Sequence, residues 1–289
     1  MSVKKWLLKN TSSLRGKTVA VSGSTGGLGK QLCLHLADLG ANLLLLDRSP
    51  ERAEAIRQML ESRYPAAKVS YIRLDLSDME CVKQVTQTLT KEPPHVLIFN
   101  AGIYHVPRYT CDSGFDNVFQ VNFVSPYYMA RTLKPYMQKN GGKIVAVGSI
   151  AHNYSKINPS DVEFLLCKKS SKVYGNSKRF LMYSLFGLYG GEDGLAVVHP
   201  GITYTNITAH YPKVIFALIK YPMKVIFMSP RAASLSIIKG IFTDCHCCEW
   251  IGPRVFDVWG KPKKKELCTA NDEECKNICK IADNIFSSL

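Results

Sequence analysis

A tyrosine and a lysine stand four residues apart at the head of an apolar run, "SKVYGNSKRFL" at residues 171–181. On one helix, Tyr174 and Lys178 would share a face about a turn apart. A lysine held there would favour the phenolate and lower the tyrosine pKa from about 10, which suits proton exchange near neutral pH. Tyr64 and Lys68 show the same spacing, yet Pro65 keeps them from sharing a regular helix interior. The spacing alone therefore does not distinguish a chance pair from a functional one, and the predicted elements around the pair are needed to choose.

The chain alternates short apolar, β-branched runs with helical patterns from about residue 17 to about residue 200. The runs predict buried strands, and the helical patterns fall between them at about 28–39, 49–64, 77–90, 113–138 and 172–189. The strand runs are "KTVAVSGS", "ANLLLLD", "KVSYIRLDL", "HVLIFNAG", "GKIVAVGS" and "LAVVHPG". This alternation predicts an α/β fold with a doubly wound parallel sheet of the Rossmann type, which binds ligands at the carboxyl ends of its strands.

The first predicted strand runs into a glycine-rich turn, "SGSTGGLGK" at residues 22–30. Gly23, Gly27 and Gly29 lie between a strand and a helix, where a tight turn needs positive φ or close backbone approach. The helix N-terminus offers free N–H groups to a phosphate. In this strand–turn–helix context the glycines predict a site for a dinucleotide pyrophosphate.

The end of the second strand carries an acidic and a basic residue in succession. Asp47 lies eighteen residues after Gly29, where a carboxylate can accept hydrogen bonds from the adenosine ribose and repel a 2′-phosphate. Arg48 could instead pair with such a phosphate. We predict NAD from Asp47, with NADP left open by Arg48 and with a simple helix-capping and surface pair as the structural alternative.

Ser149, at the end of strand five, and Asn122, in the preceding helix, complete a set of polar residues with Tyr174 and Lys178. Hydride transfer to a carbonyl needs a proton donor, a group that holds the carbonyl oxygen and a route for proton resupply. Tyr174 can donate, Ser149 can orient, Lys178 can lower the tyrosine pKa, and Asn122 can hold a relay water. Taken one at a time, each residue also has a non-catalytic explanation, as a surface serine, a core tyrosine, a solvated lysine or a helix-capping asparagine.

In combination these motifs resemble the short-chain dehydrogenase/reductase family over about residues 15–206. The matching segments, in order, are "SGSTGGLG", "LDL" around Asp75, "NAG", "VN", "IVAVGSIAH", "YGNSK" and "HPGITYT". The resemblance implies an NAD(P)-dependent oxidoreductase that interconverts an alcohol and a carbonyl, with Asn122, Ser149, Tyr174 and Lys178 as catalytic residues. It also implies a set of cofactor-binding residues: Gly23, Gly27, Leu28, Gly29, Asp47, Arg48, Asp75, Leu76, Asn100, Ala101, Gly102, Tyr174, Lys178, Pro200, Gly201 and Thr205.

Several features are similar to the retinol dehydrogenase branch of that family. Ser149 and Tyr174 are 25 residues apart, and "GFD" at 114–116 and "IAH" at 150–152 resemble that branch. Members of the branch often prefer NADP, so Asp47 is a departure from it. Ser22 in place of threonine and Gly148 in place of a first serine also depart from the common pattern. The second hypothesis is a nucleotide-binding sensor or scaffold that kept the fold without turnover.

The composition and net charge of the chain limit the classes of partner that it is expected to bind. The 289 residues are 46% apolar and 21% charged, and the formal net charge is +14 with basic residues scattered along the chain. We predict no nucleic-acid binding, a small apolar alcohol or carbonyl substrate, and peripheral membrane contact as an open reading of the charge. The start lacks a signal-peptide core, and the ten cysteines lack a secreted spacing, which predicts a cytoplasmic location with reduced thiols.

We predict three segments: a basic N-terminal stretch at 1–15, a Rossmann-type domain at 16–260 with a substrate lid at about 206–228, and a helical extension at 261–289. Lys213, Lys220 and Lys224 fall on one face of the lid among apolar residues, which fits either a substrate cover or packing against another subunit. The cysteines near the C-terminus lack the spacing of a metal site, so no metal is predicted. The apolar stretch "RFLMYSLFGLY" suggests a homo-oligomer, since relatives commonly pair through this helix.

Overall fold

The computed structural model describes residues 2–203, 228–267, 269 and 271–289. It confirms the doubly wound sheet, with eight strands in the order β3-β2-β1-β4-β5-β6-β7-β8. All neighbouring pairs are parallel except β7 and β8, which are antiparallel. The strands are β1 Thr18–Ser22, β2 Asn42–Asp47, β3 Val69–Arg73, β4 Val96–Phe99, β5 Lys143–Val147, β6 Leu195–Val198, β7 Glu249–Val255 and β8 Trp259–Glu266.

Helices cover both faces of the sheet, and several begin at a side-chain cap. Ser49 accepts a hydrogen bond from Arg52 N at the start of α3, with Pro50 in its first turn, and Asp78 caps α4. The helices are α1 Val3–Asn10, α2 Gly27–Asp38, α3 Pro50–Arg63, α4 Met79–Lys91, α5 Asn117–Phe119, α6 Ser125–Lys139, α7 Ser170–Tyr189, α8 Pro230–Ile241 and α9 Asp272–Ser288. None of the helices described is long and apolar enough to cross a bilayer.

The core consists of two apolar layers, one on each side of the sheet. In β2, Leu44 and Leu46 belong to one layer, and Leu43 and Leu45 belong to the other. Successive side chains of a strand point to opposite faces, so a run of four leucines has to be covered on both. Because β1 to β7 pair in parallel, their carboxyl ends lie along one edge of the sheet, and the loops that carry Gly23, Asn100 and Ser149 begin there.

The two ends of the chain differ from the sequence prediction. The N-terminal basic stretch contains helix α1, which buries Trp6 and Leu7 against the sheet layer that holds β1. Near the C-terminus, β8 runs through residues 259–266, across the predicted start of the helical extension at residue 261. Its sequence "WGKPKKKE" reads as a charged loop, but lysines suit an edge strand whose backbone pairs on one side only.

A predicted continuous helix over 113–138 is interrupted. It begins at Asn117, and a π turn at Gln120–Val124 separates α5 from α6. The lid at 206–228, apart from Met228, lies outside the described residues, as does Thr205.

Candidate active site

The turn between β1 and α2 admits only glycine at two of its positions. Gly23 has φ +65, and a Cβ there would stand 2.9 Å from Ala101 Cα. A Cβ on Gly29 would stand 2.1 Å from the Gly23 carbonyl oxygen. Gly27 opens α2 behind Gly26, which makes no side-chain capping bond, so the N–H groups of the first turn remain open to an anion.

The end of β1 is joined to the end of β4 by hydrogen bonds. Ser22 Oγ accepts from the backbone N–H groups of Asn100 and Ala101, at 3.1 and 3.0 Å. Asn100 Nδ2 donates to the carbonyl oxygens of Ser22 and Gly23, at 3.0 and 3.1 Å. Serine supplies the same hydroxyl as threonine, so the departure from threonine at position 22 preserves these hydrogen bonds.

Two buried polar atoms beside this turn have no hydrogen-bond partner among the described residues, namely Ser24 Oγ and Asn100 Oδ1. Buried polar atoms are normally paired. A ligand with hydroxyl and phosphate groups would satisfy them, and the glycines leave room for its backbone contacts. The residues present therefore fit a dinucleotide.

Asp47 stands where the sequence placed it, buried at the end of β2. Its Oδ2 accepts from Thr25 N at 3.0 Å, so the carboxylate also holds the phosphate turn. The Arg48 side chain is exposed. Asp75 follows β3 and accepts from the backbone and hydroxyl of Ser77, at 3.0 and 2.6 Å, and the neighbouring Leu76 is buried.

The structure brings the four predicted catalytic residues together. Lys178 and Tyr174 share a face of α7, with Lys178 Nζ 5.9 Å from the centroid of the tyrosine ring. Ser149 hydrogen-bonds Tyr174. A Cβ on Gly102 would stand 3.0 Å from Asn122 Oδ1 and 3.4 Å from Lys178 Nζ, so both residues lie against the loop that follows β4.

The expected lowering of the Tyr174 pKa by Lys178 is wrong for the protein alone. Burial raises the pKa of Tyr174 to about 12, and the hydrogen bond with Ser149 offsets this only in part. Burial lowers the pKa of Lys178 to about 8. Lys178 Nζ donates to the Val147 carbonyl at 2.8 Å. Tyr174 is therefore protonated at neutral pH and stands ready as a donor.

Asn122 lies in the π turn and is fully buried. Its carboxamide accepts from Ile103 N and donates to Ile103 O, both at 2.9 Å, and also donates to Ser177 Oγ at 3.1 Å. π turns inside helices are frequent at functional sites. Asn122 thus joins the loop after β4 to the tyrosine helix, and its role with a relay water stays a prediction.

The predicted nicotinamide end lies after β6. Pro200 is buried, and Gly201 has φ +87, where a Cβ would stand 2.9 Å from Pro253 Cγ and 3.0 Å from the Val258 carbonyl oxygen. Only glycine suits this position, because both the backbone angle and the space exclude a side chain. The loop after β6 therefore packs directly on the β7–β8 hairpin.

Sequence reasoning missed a buried network that supports Ser149. Arg179, next to Lys178, makes two bonds to the Glu274 carboxylate, at 2.7 and 2.6 Å, and donates to Thr269 O and His152 O. His152 Nδ1 in turn donates to Ser149 O at 2.6 Å. The signal was an arginine inside an apolar helix, which demands a partner when buried. That partner comes from α9, the extension to which no role had been assigned.

The cysteines near the C-terminus do not form a recognisable metal centre in the part of the chain that the structure describes. There, no group of three or more histidine, cysteine, aspartate or glutamate side chains could hold an ion. Cys247 and Cys248 lie with their sulfurs 3.5 Å apart, and Cys279 packs against Gly187 of α7.

The family model described as "short chain dehydrogenase" matches residues 17–160. Human retinol dehydrogenase 14 is 29% identical over 269 residues, which is 80% of this chain and 79% of that protein. Human polyprenol dehydrogenase is 27% identical over 207 residues, 67% of this chain and 63% of that protein. A short-chain dehydrogenase from Sphingobium yanoikuyae in complex with NADPH has the same fold, with a TM-score of 0.61 and 21% identity over 78% of this chain and 84% of that one.

The fold, the glycine turn and the Ser149–Tyr174–Lys178 arrangement are those of a dinucleotide-dependent oxidoreductase. The chain belongs to the short-chain dehydrogenase/reductase family, and relatives named retinol dehydrogenase 13 and 14 confirm the predicted branch. It spans between 62% and 68% of the lengths of the first relatives compared. Its own activity, substrate and partners are therefore matters of proposal.

Proposed function

We propose that the chain interconverts an apolar alcohol and its carbonyl by hydride exchange with NAD(H) or NADP(H). The observation that carries this proposal is the convergence of Ser149, Tyr174, Lys178 and Asn122 at the strand edge that also carries the phosphate turn. The experiment that tests it follows deuterium from a labelled dinucleotide into a product alcohol.

In this proposal the first turn of α2, Asp47 and Asn100 would hold the dinucleotide, which supplies or accepts the hydride. Tyr174 donates its proton to the developing alkoxide during reduction and recovers it during oxidation. Its pKa of about 12 keeps that proton in place at neutral pH. Ser149 orients the carbonyl oxygen by hydrogen bonding, and Lys178, on the same face of α7 as Tyr174, would hold the nicotinamide ribose.

The choice between NAD and NADP rests on the charge of Asp47. We expect Asp47→Asn to shift the ratio of NADPH to NADH affinity by about tenfold towards NADPH, since asparagine can still accept from Thr25 N but no longer repels a 2′-phosphate. Fluorescence titration with each nucleotide measures both dissociation constants.

Glu51→Gln is the matched control, because it removes an exposed carboxylate close by in α3. It should leave the ratio of affinities unchanged. Wild-type protein that binds NADPH more tightly than NADH, together with an unchanged ratio in Asp47→Asn, would show that Arg48 governs the choice instead.

An apolar substrate is supported by the names of the relatives, which are a retinol dehydrogenase and a polyprenol dehydrogenase. Peripheral membrane contact, a cytoplasmic location and a homo-oligomer are part of the same proposal. A homo-oligomer would need a surface other than the apolar side of α7, because Phe180, Tyr183 and Phe186 are already buried within one chain.

The competing function is a nucleotide-binding sensor or scaffold without turnover. The complete set of four site residues favours an enzyme over it. Dinucleotide binding without reduction of any carbonyl in a broad panel would favour the scaffold.

A further inference from the structure

The large apolar side chains that the described residues expose are concentrated at one edge of the molecule. Apart from Leu8 in α1 and Tyr136 in α6, all of them lie in the segments that follow the carboxyl ends of β4 and β5 or at the β7–β8 turn. Scattered single apolar residues are ordinary on a protein surface, but a concentration on one side marks an interaction site.

The turn between β7 and β8 forms the first apolar tip. Phe256 is 87% exposed and Trp259 is 55% exposed. Phe256 and Asp257 both have positive φ, at +48 and +57, which favours asparagine or glycine and is costly for an aromatic residue. An exposed phenylalanine at such a position gains little from packing within the chain. Lys265 fixes the turn by bonding Asp257 at 2.5 Å and the Pro253 carbonyl at 2.6 Å.

The loop at 161–169 forms the second apolar tip. Leu165 is 59% exposed and Leu166 is 87% exposed. The Asp161 carboxylate accepts from the backbone N–H groups of both leucines, at 2.7 and 3.1 Å. Arg108 donates to the carbonyl oxygens of Phe164 and Cys167. The loop is thus held by hydrogen bonds in a shape that leaves the two leucines on the surface.

Cations border both tips. Lys168 and Lys169 follow the leucines, and Arg254, Lys261 and Lys263 border the hairpin turn; all five are exposed. The acidic residues of the two tips are already engaged: Asp257 with Lys265, Asp161 with backbone amides, and Glu163 with the Asp116 amide. The tips therefore present apolar and cationic groups together.

Both tips lie on the substrate side of the fold. β7 is parallel to β6, so its carboxyl end shares an edge with the strands that carry Ser149 and Gly201. The 161–169 loop lies between the end of β5 and the start of α7, at the same edge. A partner that engaged both tips would face the edge of the sheet that carries the candidate site.

We propose that these two tips dock the protein on an anionic lipid bilayer, with the leucines and aromatic rings inserted at the interface and the cations on the headgroups. Exposed aromatic and aliphatic groups flanked by lysine and arginine match such a surface. A second copy of this chain fits less well, because the flanking cations and a net charge of +14 would repel one another.

The test is co-sedimentation of the full chain with vesicles of phosphatidylcholine, either alone or with about a third phosphatidylserine. We expect binding to the anionic vesicles that weakens as salt rises. The variant carrying Phe256→Asn and Trp259→Ser should lose about tenfold or more in affinity, and so should Leu165→Ser with Leu166→Ser. Asparagine suits the positive φ of residue 256, so the first variant should fold, and its melting temperature checks this.

Leu8→Ser with Tyr136→Ser is the matched control, since both residues are exposed but lie away from the tips. It should bind vesicles as the wild type does. The proposal is overturned if the wild type ignores anionic vesicles at about 0.1 M salt, or if the control loses as much affinity as the tip variants. A tip variant that changes the sedimentation mass of the protein without lipid would assign the surface to a second copy and would also overturn it. This inference rests on the peripheral membrane contact proposed above and names the surface that makes it; vesicle binding needs no turnover, so its outcome is distinguishable from that of the proposed reaction.

Discussion

Replacing Tyr174 with phenylalanine is expected to lower kcat by about a thousandfold while binding of the dinucleotide changes by no more than about twofold. The phenyl ring preserves the edge contact with Tyr104, whose ring centroid lies 5.1 Å away, and only the hydroxyl is lost. Without that hydroxyl the group proposed to protonate the alkoxide is missing. Initial rates at saturating substrate and a nucleotide titration separate the two effects.

Tyr189→Phe supplies the control, because it removes a hydroxyl from a second tyrosine of the same helix, which is buried. It should retain nearly full kcat. A Tyr174→Phe protein that keeps more than about a tenth of the wild-type rate would contradict the assignment of Tyr174 as the acid/base.

The second large effect concerns stability. We expect Glu274→Ala to lower the free energy of unfolding by about 3 kcal/mol or more, because it leaves the Arg179 charge buried without its carboxylate. The Arg179 side chain is 2% exposed, and that of Glu274 is 14% exposed. Urea denaturation measures the change. The kcat should fall as well, since Arg179 also holds His152, which bonds the Ser149 carbonyl.

Glu273→Ala is the neighbouring control: it removes an exposed acidic residue from the same first turn of α9. Its cost should stay within about 0.5 kcal/mol. Equal effects of the two substitutions would show that the Arg179–Glu274 pair does not hold the extension to α7. Arg179→Met combined with Glu274→Ala should recover part of the loss, because no buried charge then remains unpaired.

Local patterns were enough to predict the sheet and most of the site. The strands of the parallel part read mostly as short apolar runs, and Gly23, Asp47, Asn100, Ser149 and Gly201 all lie at the end of such a run or within three residues after it. Because parallel strands end at one edge, sequence order alone brings these residues together. The four-residue spacing of Tyr174 and Lys178 likewise predicted that both side chains lie on one face of a single helix.

Features that depend on distant parts of the chain were not predicted. The Tyr174 pKa rises because packing from several elements buries it, and no neighbour in sequence reports that burial. Arg179 and Glu274 are separated by 95 residues. The apolar pattern of the helix therefore indicated that Arg179 is buried, but it gave no information about which residue pairs with it. β8 pairs through its backbone with β7, and its lysines and prolines concealed that pairing.

The most direct measurement for the proposed reaction uses NADH and NADPH carrying deuterium at the transferring carbon of the nicotinamide, incubated with a panel of aldehydes and ketones of increasing chain length. Mass spectrometry then detects deuterium on the carbinol carbon of the product. The account predicts direct transfer to at least one apolar carbonyl in the wild type and transfer about a thousandfold slower in Tyr174→Phe. Tight binding of the dinucleotide with no labelled alcohol from any carbonyl would contradict it and would favour the scaffold.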